Sequence, residues 1–396
     1  MDPRNAKYPI RVGLLYGDEP SGHYSAALAL ADFFPAPVIE PVFINLAELF
    51  PNAGFILTRA YLGILNSTPG LWDYLYDNDL VAQVTKKLQT KAFPYYFRTF
   101  ADAVQKRGLS AVVSTHAFAA MLLAKRAQLD PSAQRRAGGA VPLFAVLTDF
   151  YAHSYWPARG VELYFSPGRS AETGLKANGV PADRIITSGI PVRKEFMFGE
   201  DARRKRKELG LAPGLFTVLL TGGSKGLGDI LLAAASLKNL LGRLQLVVLC
   251  GGNKKLYAAL EKSLAGARHY RLVQGYVENT ADHLKAADLV IGKAGGVTIA
   301  ETMALSKPMI VFSPFPGQEE RNTRFLLKNR LAEFAEDGRS LESLVRRHMA
   351  HPGALAALKS NIAAAARPYA ARDIAAVIME RLLHGKQGTA GNPAQG

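Results

Sequence analysis

Only one cysteine, Cys250, occurs in 396 residues, so the chain can form no internal disulfide and no zinc site built on several thiolates. That fits a reducing compartment. Long hydrophobic runs are missing too. The best, over 111–124, is interrupted by Ser114, Thr115 and His116 and is shorter than the roughly 20 residues a membrane-spanning helix needs. No secretory signal is expected, because the start leads directly into a strand-like run at 10–16. Acidic side chains are few beside basic ones, 33 against 48, for a formal net charge of +15. The imbalance lies in the second half, with 20 basic and 17 acidic residues up to position 200 and 28 and 16 beyond it. Such an excess attracts polyanions, whether nucleic acid, anionic lipid or a phosphorylated substrate. The densest basic run, at 203–207, reads as a solvated helix face. With 48% hydrophobic and 20% charged residues, a sizeable core is available and global disorder is excluded.

Short β-rich runs alternate with amphipathic ones. Strands are expected over 11–16, 42–45, 111–115, 143–148, 163–166 and 184–187, then over 216–221, 244–250, 270–274, 289–292 and 309–313. Helical spacing marks 25–34, 80–106, 227–240, 256–264, 297–305 and 319–328. This alternation predicts an α/β protein with parallel sheets covered on both faces. The rhythm breaks over 189–211. The expected domains are therefore 1–198 and 199–384, with the last helix able to pack back on the first domain. A Gly- and Ala-rich tail, 385–396, is expected to be disordered.

Open parallel sheets bind ligands beyond the carboxyl ends of their strands. In the second half, four expected strands run into small-residue loops: 221–228 with Gly223 and Ser224, 250–253, 275–277 with Gly275, Tyr276 and Val277, and 292–298 with Gly295, Gly296 and Thr298. Glycine lets a backbone approach a ligand closely, and a helix start offers N–H groups to phosphate oxygens. One such turn could merely end a strand; several in one half suit a nucleoside diphosphate. No Gly-x-x-x-x-Gly-Lys-Ser/Thr loop is present, and no Gly-x-Gly-x-x-Gly follows the first strand. Glu301 lies one turn into the helix after Gly296, where a carboxylate can accept from both ribose hydroxyls or simply cap the helix. Gln318, Glu319 and Asn322 start the helix after a Pro-rich loop, and amides beside a carboxylate suit sugar hydroxyls.

The stretch from Gly292 to Glu301, followed by Pro316 to Asn322, resembles the donor site of the diacylglycerol glycosyltransferases. These are the monogalactosyldiacylglycerol synthases and processive diacylglycerol β-glucosyltransferases, relatives of the lipid II-forming N-acetylglucosaminyltransferase. Residues 148–156 and 188–196 of the first half are similar to the same family, and the match runs in order from about 11 to 322. The resemblance implies a GT-B fold: two Rossmann-like domains, the second holding the donor and the acceptor entering the cleft. It implies inverting, metal-independent transfer of galactose or glucose from UDP-galactose or UDP-glucose to diacylglycerol, giving a β-glycolipid. On this basis Glu301 would hold the ribose, Gly275–Val277 the uracil, and Gln318 with Glu319 the sugar. Gly223, Ser224 and the Gly295–Gly296 turn would face the diphosphate, and Lys225 or Lys293 could supply the charge a metal supplies elsewhere. The first loop departs from the family, since Pro20 and Ser21 stand at flexible positions before Gly22 and His23.

An attacking hydroxyl needs a proton acceptor, and histidine is the usual one near neutral pH. Of the eight histidines, His23 is the expected base, because it sits in the loop after the first strand, where the resemblance places one. His153, with Asp149 and Trp156, is expected to position the acceptor or support the base, with Gly22 and Arg193 on the same side. His116, at a strand end, reads equally as structural or acceptor-facing. Asp77 and Asp79 spell a metal-binding pattern of other glycosyltransferases but read here as a helix start. No metal or other cofactor is expected. Rival functions are transfer to a polyprenyl-linked acceptor and a UDP-N-acetylglucosamine 2-epimerase. A nucleic-acid partner is not expected. The region 50–100 holds 11 of the 36 aromatics together with Lys86, Lys87, Lys91 and Arg98. With Trp72 it is expected to dock the protein peripherally on anionic lipid at the cytoplasmic face of a membrane.

Overall fold

A computed structural model describes residues 9–17, 19–49, 99–117, 120, 141–153, 156–158 and 160–384. The first sheet contains β1 (Ile10–Tyr16), β2 (Ile39–Asn45), β3 (Ala111–Ser114), β4 (Leu143–Val146), β5 (Leu163–Ser166) and β6 (Ile185–Thr187), in the order β2-β1-β3-β4-β5-β6. The second contains β7 (Phe216–Thr221), β8 (Leu244–Leu249), β9 (Arg271–Gln274), β10 (Leu289–Gly292), β11 (Met309–Phe312) and β12 (Glu333–Ala335), in the order β12-β11-β10-β7-β8-β9. Every strand pairing among the described residues is parallel. The sequence explains why: β3, β4, β5, β8, β10 and β11 are buried along their whole length and lack polar alternation, so both faces must be covered.

The chain forms two compact units, one of residues 1–19, 23–193 and 369–396, the other of 20–22 and 194–368. The first unit thus ends slightly before the break expected at 198 and regains the chain at 369. Helix Ala370–His384 brings Ile374, Ala375, Ile378 and Leu382, spaced on one stripe, into the buried cluster of Ile10, Val12, Leu14 and Phe144.

In the first sheet the strand order reverses between β1 and β3, and in the second between β7 and β10. Loops that leave such neighbours diverge to opposite sides and open a crevice at the carboxyl ends of the strands. The helix start that follows β1 and the loop after β3 carry His23 and His116; the loops after β7 and β10 carry Gly223 and Gly295. Both groups of expected functional residues therefore sit at a switch point.

Three expectations need correction or placement. The basic run is a solvated face only in part: Arg203, Arg204 and Lys207 are exposed, but helix Ala202–Glu208 buries Arg206, whose guanidinium donates to Ala286 O at 2.8 Å and Pro213 O at 3.1 Å and pairs with Asp288 at 2.7 Å. Lys205 reaches Asp282 at 2.9 Å and Glu208 at 3.0 Å. The charges hold the helix to its own unit. The short edge strand β12 is absent from the expected set, because three residues with Glu333 tied to His348 and an exposed Phe334 show no strand alternation. Asp77, Asp79, Trp72, Lys86, Lys87 and the tail lie outside the described residues; of the aromatic region, Phe100 is described, and it is buried in the core. Among the described residues no helix is long and apolar enough to cross a membrane.

Candidate active site

In the first unit, β1 delivers the chain to helix Gly22–Ala31, and His23 is its second residue. The side chain is half-buried. Its Nδ1 lies 2.7 Å from the carbonyl oxygen of Thr115, just past β3, and 3.2 Å from Thr148 Oγ1, just past β4. A carbonyl oxygen can only accept, so the proton of the neutral ring belongs on Nδ1 and the lone pair on Nε2. The Thr115 hydroxyl donates to His23 O at 2.9 Å, which fixes the backbone of the residue as well as its ring. Thus Thr115 and Thr148, neither singled out by the sequence, orient the ring. A backbone carbonyl leaves no mark in a sequence; only the position of each threonine at a strand end hints at the role.

Two further histidines adjoin it. The His116 ring stands edge to face with that of His23, centroids 4.7 Å apart. Room for it comes from Gly17, where a Cβ would lie 2.8 Å from His116 Cδ2. Desolvation, then the field of His23 and that of His153, pushes the His116 pKa well below the usual range. Desolvation and His23 likewise bring His153 down to about 3, and its ring lies 5.9 Å from that of Trp156. Both stay neutral at physiological pH. Asp149 is buried, as is Trp156 beside His153, and Gly22 opens the helix that carries His23. Arg193 faces Asp32 at 3.8 Å, so its charge is engaged at the far end of that helix.

In the second unit the loops after β7, β8 and β9 lie side by side. Gly252 N donates to Ser224 O at 2.9 Å, and Asn253 Nδ2 to Gly226 O at 3.0 Å. The Cβ position of Gly275 is 3.7 Å from Gly251 O. Gly223 and Ser224 are half-buried on this shelf, and Tyr276 is exposed beside the half-buried Val277. After β10, Gly295 is the N-cap of helix Gly296–Ala304 and supplies no capping side chain, so the N–H groups of its first turn have no side-chain acceptor from the cap. Thr298 and Glu301, both half-buried, are on that helix.

Glu319 and Asn322 are placed differently from the surface contacts expected for sugar recognition. Glu319 is buried; one carboxylate oxygen pairs with Lys293 Nζ and the other accepts from Phe315 N at 3.0 Å. Lys293 also lies 5.6 Å from the centroid of the Phe315 ring. Asn322 is fully buried and donates to Ala294 O at 3.0 Å. These two residues brace the 293–295 turn from helix Gln318–Lys328, while Gln318 remains half-buried at the helix start. Among the described residues no cluster of three or more His, Cys, Asp or Glu could hold a metal. Burial raises the Cys250 thiol to about 11, which makes it a poor nucleophile.

Residues 217–372 match the glycosyltransferase family 28 C-terminal domain, and residues 23–192 match monogalactosyldiacylglycerol (MGDG) synthase. Among solved structures, MurG of Acinetobacter baumannii superposes with a TM-score of 0.59 at 16% identity, over 94% of this chain and all of that one. UDP-GlcNAc 2-epimerase from Neisseria meningitidis, bound to UDP-GlcNAc, gives 0.56 at 12% identity, over 94% of this chain and all of that one. With its two parallel six-stranded sheets, the chain is a glycosyltransferase of the GT-B class. A processive diacylglycerol beta-glucosyltransferase of Bacillus cytotoxicus is 27% identical over 363 residues, 91% of each chain. Along most of its length this chain is thus similar to the diacylglycerol glycosyltransferases.

Proposed function

We propose that this hexosyltransferase moves galactose or glucose from UDP-galactose or UDP-glucose to the free hydroxyl of 1,2-diacylglycerol, with inversion at the anomeric carbon. The observation that carries the chemistry is the His23 ring, held through Nδ1 by Thr115 O with its Nε2 lone pair available. In this scheme Nε2 takes the hydroxyl proton as the oxygen attacks the anomeric carbon, the bond to the diphosphate breaks, and UDP leaves with the electron pair. Attack on the face opposite the diphosphate gives a β-glycoside. His116 and His153, both held neutral, place no competing positive charge beside the proton as it arrives. Likeness to MGDG synthase and to a processive diacylglycerol beta-glucosyltransferase favours diacylglycerol over a polyprenyl-linked acceptor. The epimerase likeness is one of fold alone and gives no reason for a base on the acceptor side.

The test is to incubate purified protein with each UDP-sugar and diacylglycerol vesicles and identify the glycolipid and its anomeric configuration. A β-hexosyl-diacylglycerol from either donor supports the proposal. Epimerised UDP-sugar without glycolipid, or transfer to polyprenyl phosphate carriers alone, overturns it. The enzyme is proposed to act peripherally at the cytoplasmic face of a membrane, where its acceptor resides. Co-sedimentation with anionic vesicles that weakens as salt rises would support that placement; no dependence on anionic lipid would oppose it.

Two predictions concern the donor. Glu301→Gln is expected to weaken UDP and UDP-sugar alike, by about tenfold, because a neutral amide accepts more weakly from ribose hydroxyls. Gln318→Ala is expected to weaken the UDP-sugar but not UDP, as titration calorimetry would show; equal losses for both ligands would remove Gln318 from the sugar subsite. Lys225, together with Lys293, whose charge is shared with Glu319, is proposed to stand in for a metal at the diphosphate. Turnover is therefore expected to persist in excess chelator, and its loss with recovery on adding Mg²⁺ or Mn²⁺ would contradict this.

A further inference from the structure

Between β9 and helix Thr280–Ala286 the chain makes a short loop, Gly275 to Asn279, whose two ends meet on one side chain. His283 is buried at 5% exposure; its Nδ1 lies 3.1 Å from Asn279 O and its Nε2 lies 2.5 Å from the Gln274 side-chain amide. Gln274 is the last residue of β9, and Asn279 is the N-cap of the helix, its Oδ1 accepting from Ala281 N at 3.1 Å. Asn279 Nδ2 also donates to Asp282 at 2.9 Å, and Asp282 pairs with Lys205. We propose that His283 is a positioning residue for the nucleobase, a clasp that closes the 275–279 loop by tethering its first and last neighbours to a single imidazole.

The hydrogen-bond inventory fixes how the clasp is built. Asn279 O can only accept, so Nδ1 bears the proton, and burial disfavours a second proton on the ring. Nε2 lies against Gln274 Oε1, and since Nε2 must then accept, the amide is assigned with its oxygen and nitrogen exchanged so that the NH₂ donates to the ring. Apart from the Asn279 cap, the side chains of the loop give it little support. Gly275 contributes no side chain, Tyr276 is 53% exposed, and Glu278 and Asn279 are exposed as well. A loop that presents backbone groups to a flat base needs those groups fixed before the base arrives, since ordering them on binding would subtract from affinity. Two hydrogen bonds from one buried ring supply that order.

The inference rests on the proposal that uracil is held at 275–277, and the experiment separates the two. Backbone amide exchange is first measured in the wild-type protein with and without UDP. Protection of 275–279 by UDP supports the base subsite; its absence removes the base subsite and the clasp with it. Titrations of UDP, uridine and CDP then follow for His283→Leu, His283→Gln and Gln274→Ala. The expected result for His283→Leu is a five- to tenfold rise in the dissociation constants of both UDP and uridine. It is accompanied by reduced preference for UDP over CDP, a raised donor KM and an unchanged kcat at saturation. His283→Gln, which keeps a donor and an acceptor, is expected to recover much of the loss. Gln274→Ala removes the same contact from a half-exposed position and is expected to repeat the effect should His283→Leu fold poorly. Wild-type affinities and base preference in Gln274→Ala and in folded His283→Leu, with the loop protected by UDP in the wild type, would overturn the clasp alone.

Discussion

Replacing His23 by Ala is expected to lower turnover by two to four orders of magnitude while leaving the affinity for the UDP-sugar unchanged. The size follows from the role: with no lone pair in place, the acceptor hydroxyl must lose its proton to water as it attacks. The selectivity follows from the geometry, because the His23 ring is fixed by Thr115 and Thr148 in the first unit, while the donor loops are held together within the second. A pH profile gives an independent reading. A base works unprotonated, so kcat/KM should fall as pH falls, and the fall should follow a single proton, because His153 is held down to about 3 and His116 is also kept neutral. Thr148→Val should cost less than tenfold, since Thr115 O keeps the shorter bond to Nδ1. Near-normal turnover in His23→Ala would remove this residue from the mechanism, and a two-proton acid limb would show that a second histidine takes part.

What a sequence discloses about such a site depends on which atoms do the work. His23 stands out as a candidate because it follows closely on the first β-strand, where the resemblance places a base; the fold sets it as the second residue of the helix. The glycine loops are legible because they recur at the ends of β7, β8, β9 and β10, and the parallel order of those strands brings them to one edge. Thr115 is not, since its contribution to the base is a carbonyl oxygen that any residue would carry. Glu319 misleads for a different reason. A carboxylate on the first turn of a helix looks available to a sugar, and only the fold shows it already shared between Lys293 and the Phe315 amide. The run at 203–207 misleads at one position: five successive cations suggest an open basic face, and Arg203, Arg204 and Lys207 are exposed, yet Arg206 is sequestered by the Ala286 carbonyl and Asp288, both distant in sequence. Partners far along the chain decide whether a charge is free, and a local pattern cannot supply them.

Gly226→Ala is expected to cost about 3 kcal/mol of folding stability and at least tenfold in UDP affinity. Gly252→Ala, in the adjoining loop, should change stability by no more than about 0.5 kcal/mol. The contrast comes from the room each Cβ would find. At Gly226 it would fall 1.9 Å from Cys250 O and 2.9 Å from Asn253 Cβ, on a backbone at φ +59° that disfavours any side chain. The conformation alone costs alanine about 1 kcal/mol or more, and the collision with a backbone oxygen adds an overpacking penalty of about 1–3 kcal/mol. Neither obstacle exists at Gly252, which is exposed, has no positive φ, and would have its nearest neighbour at 3.8 Å. The clash cannot be relieved by a rotamer change, because Cys250 O belongs to the chain leaving β8, which is paired along its length with β7. Relief must come from moving the 222–228 loop, which breaks the Asn253 Nδ2 bond to Gly226 O and carries Gly223 and Ser224 away from the neighbouring loop. Those are the residues proposed to face the diphosphate, so stability and donor affinity should fall together in this variant. Urea unfolding and UDP titration of both proteins measure the two quantities. Equal, small effects at Gly226 and Gly252 would mean that the β7 and β8 loops are not pressed together in solution, and the shelf proposed for the diphosphate would lose its physical basis.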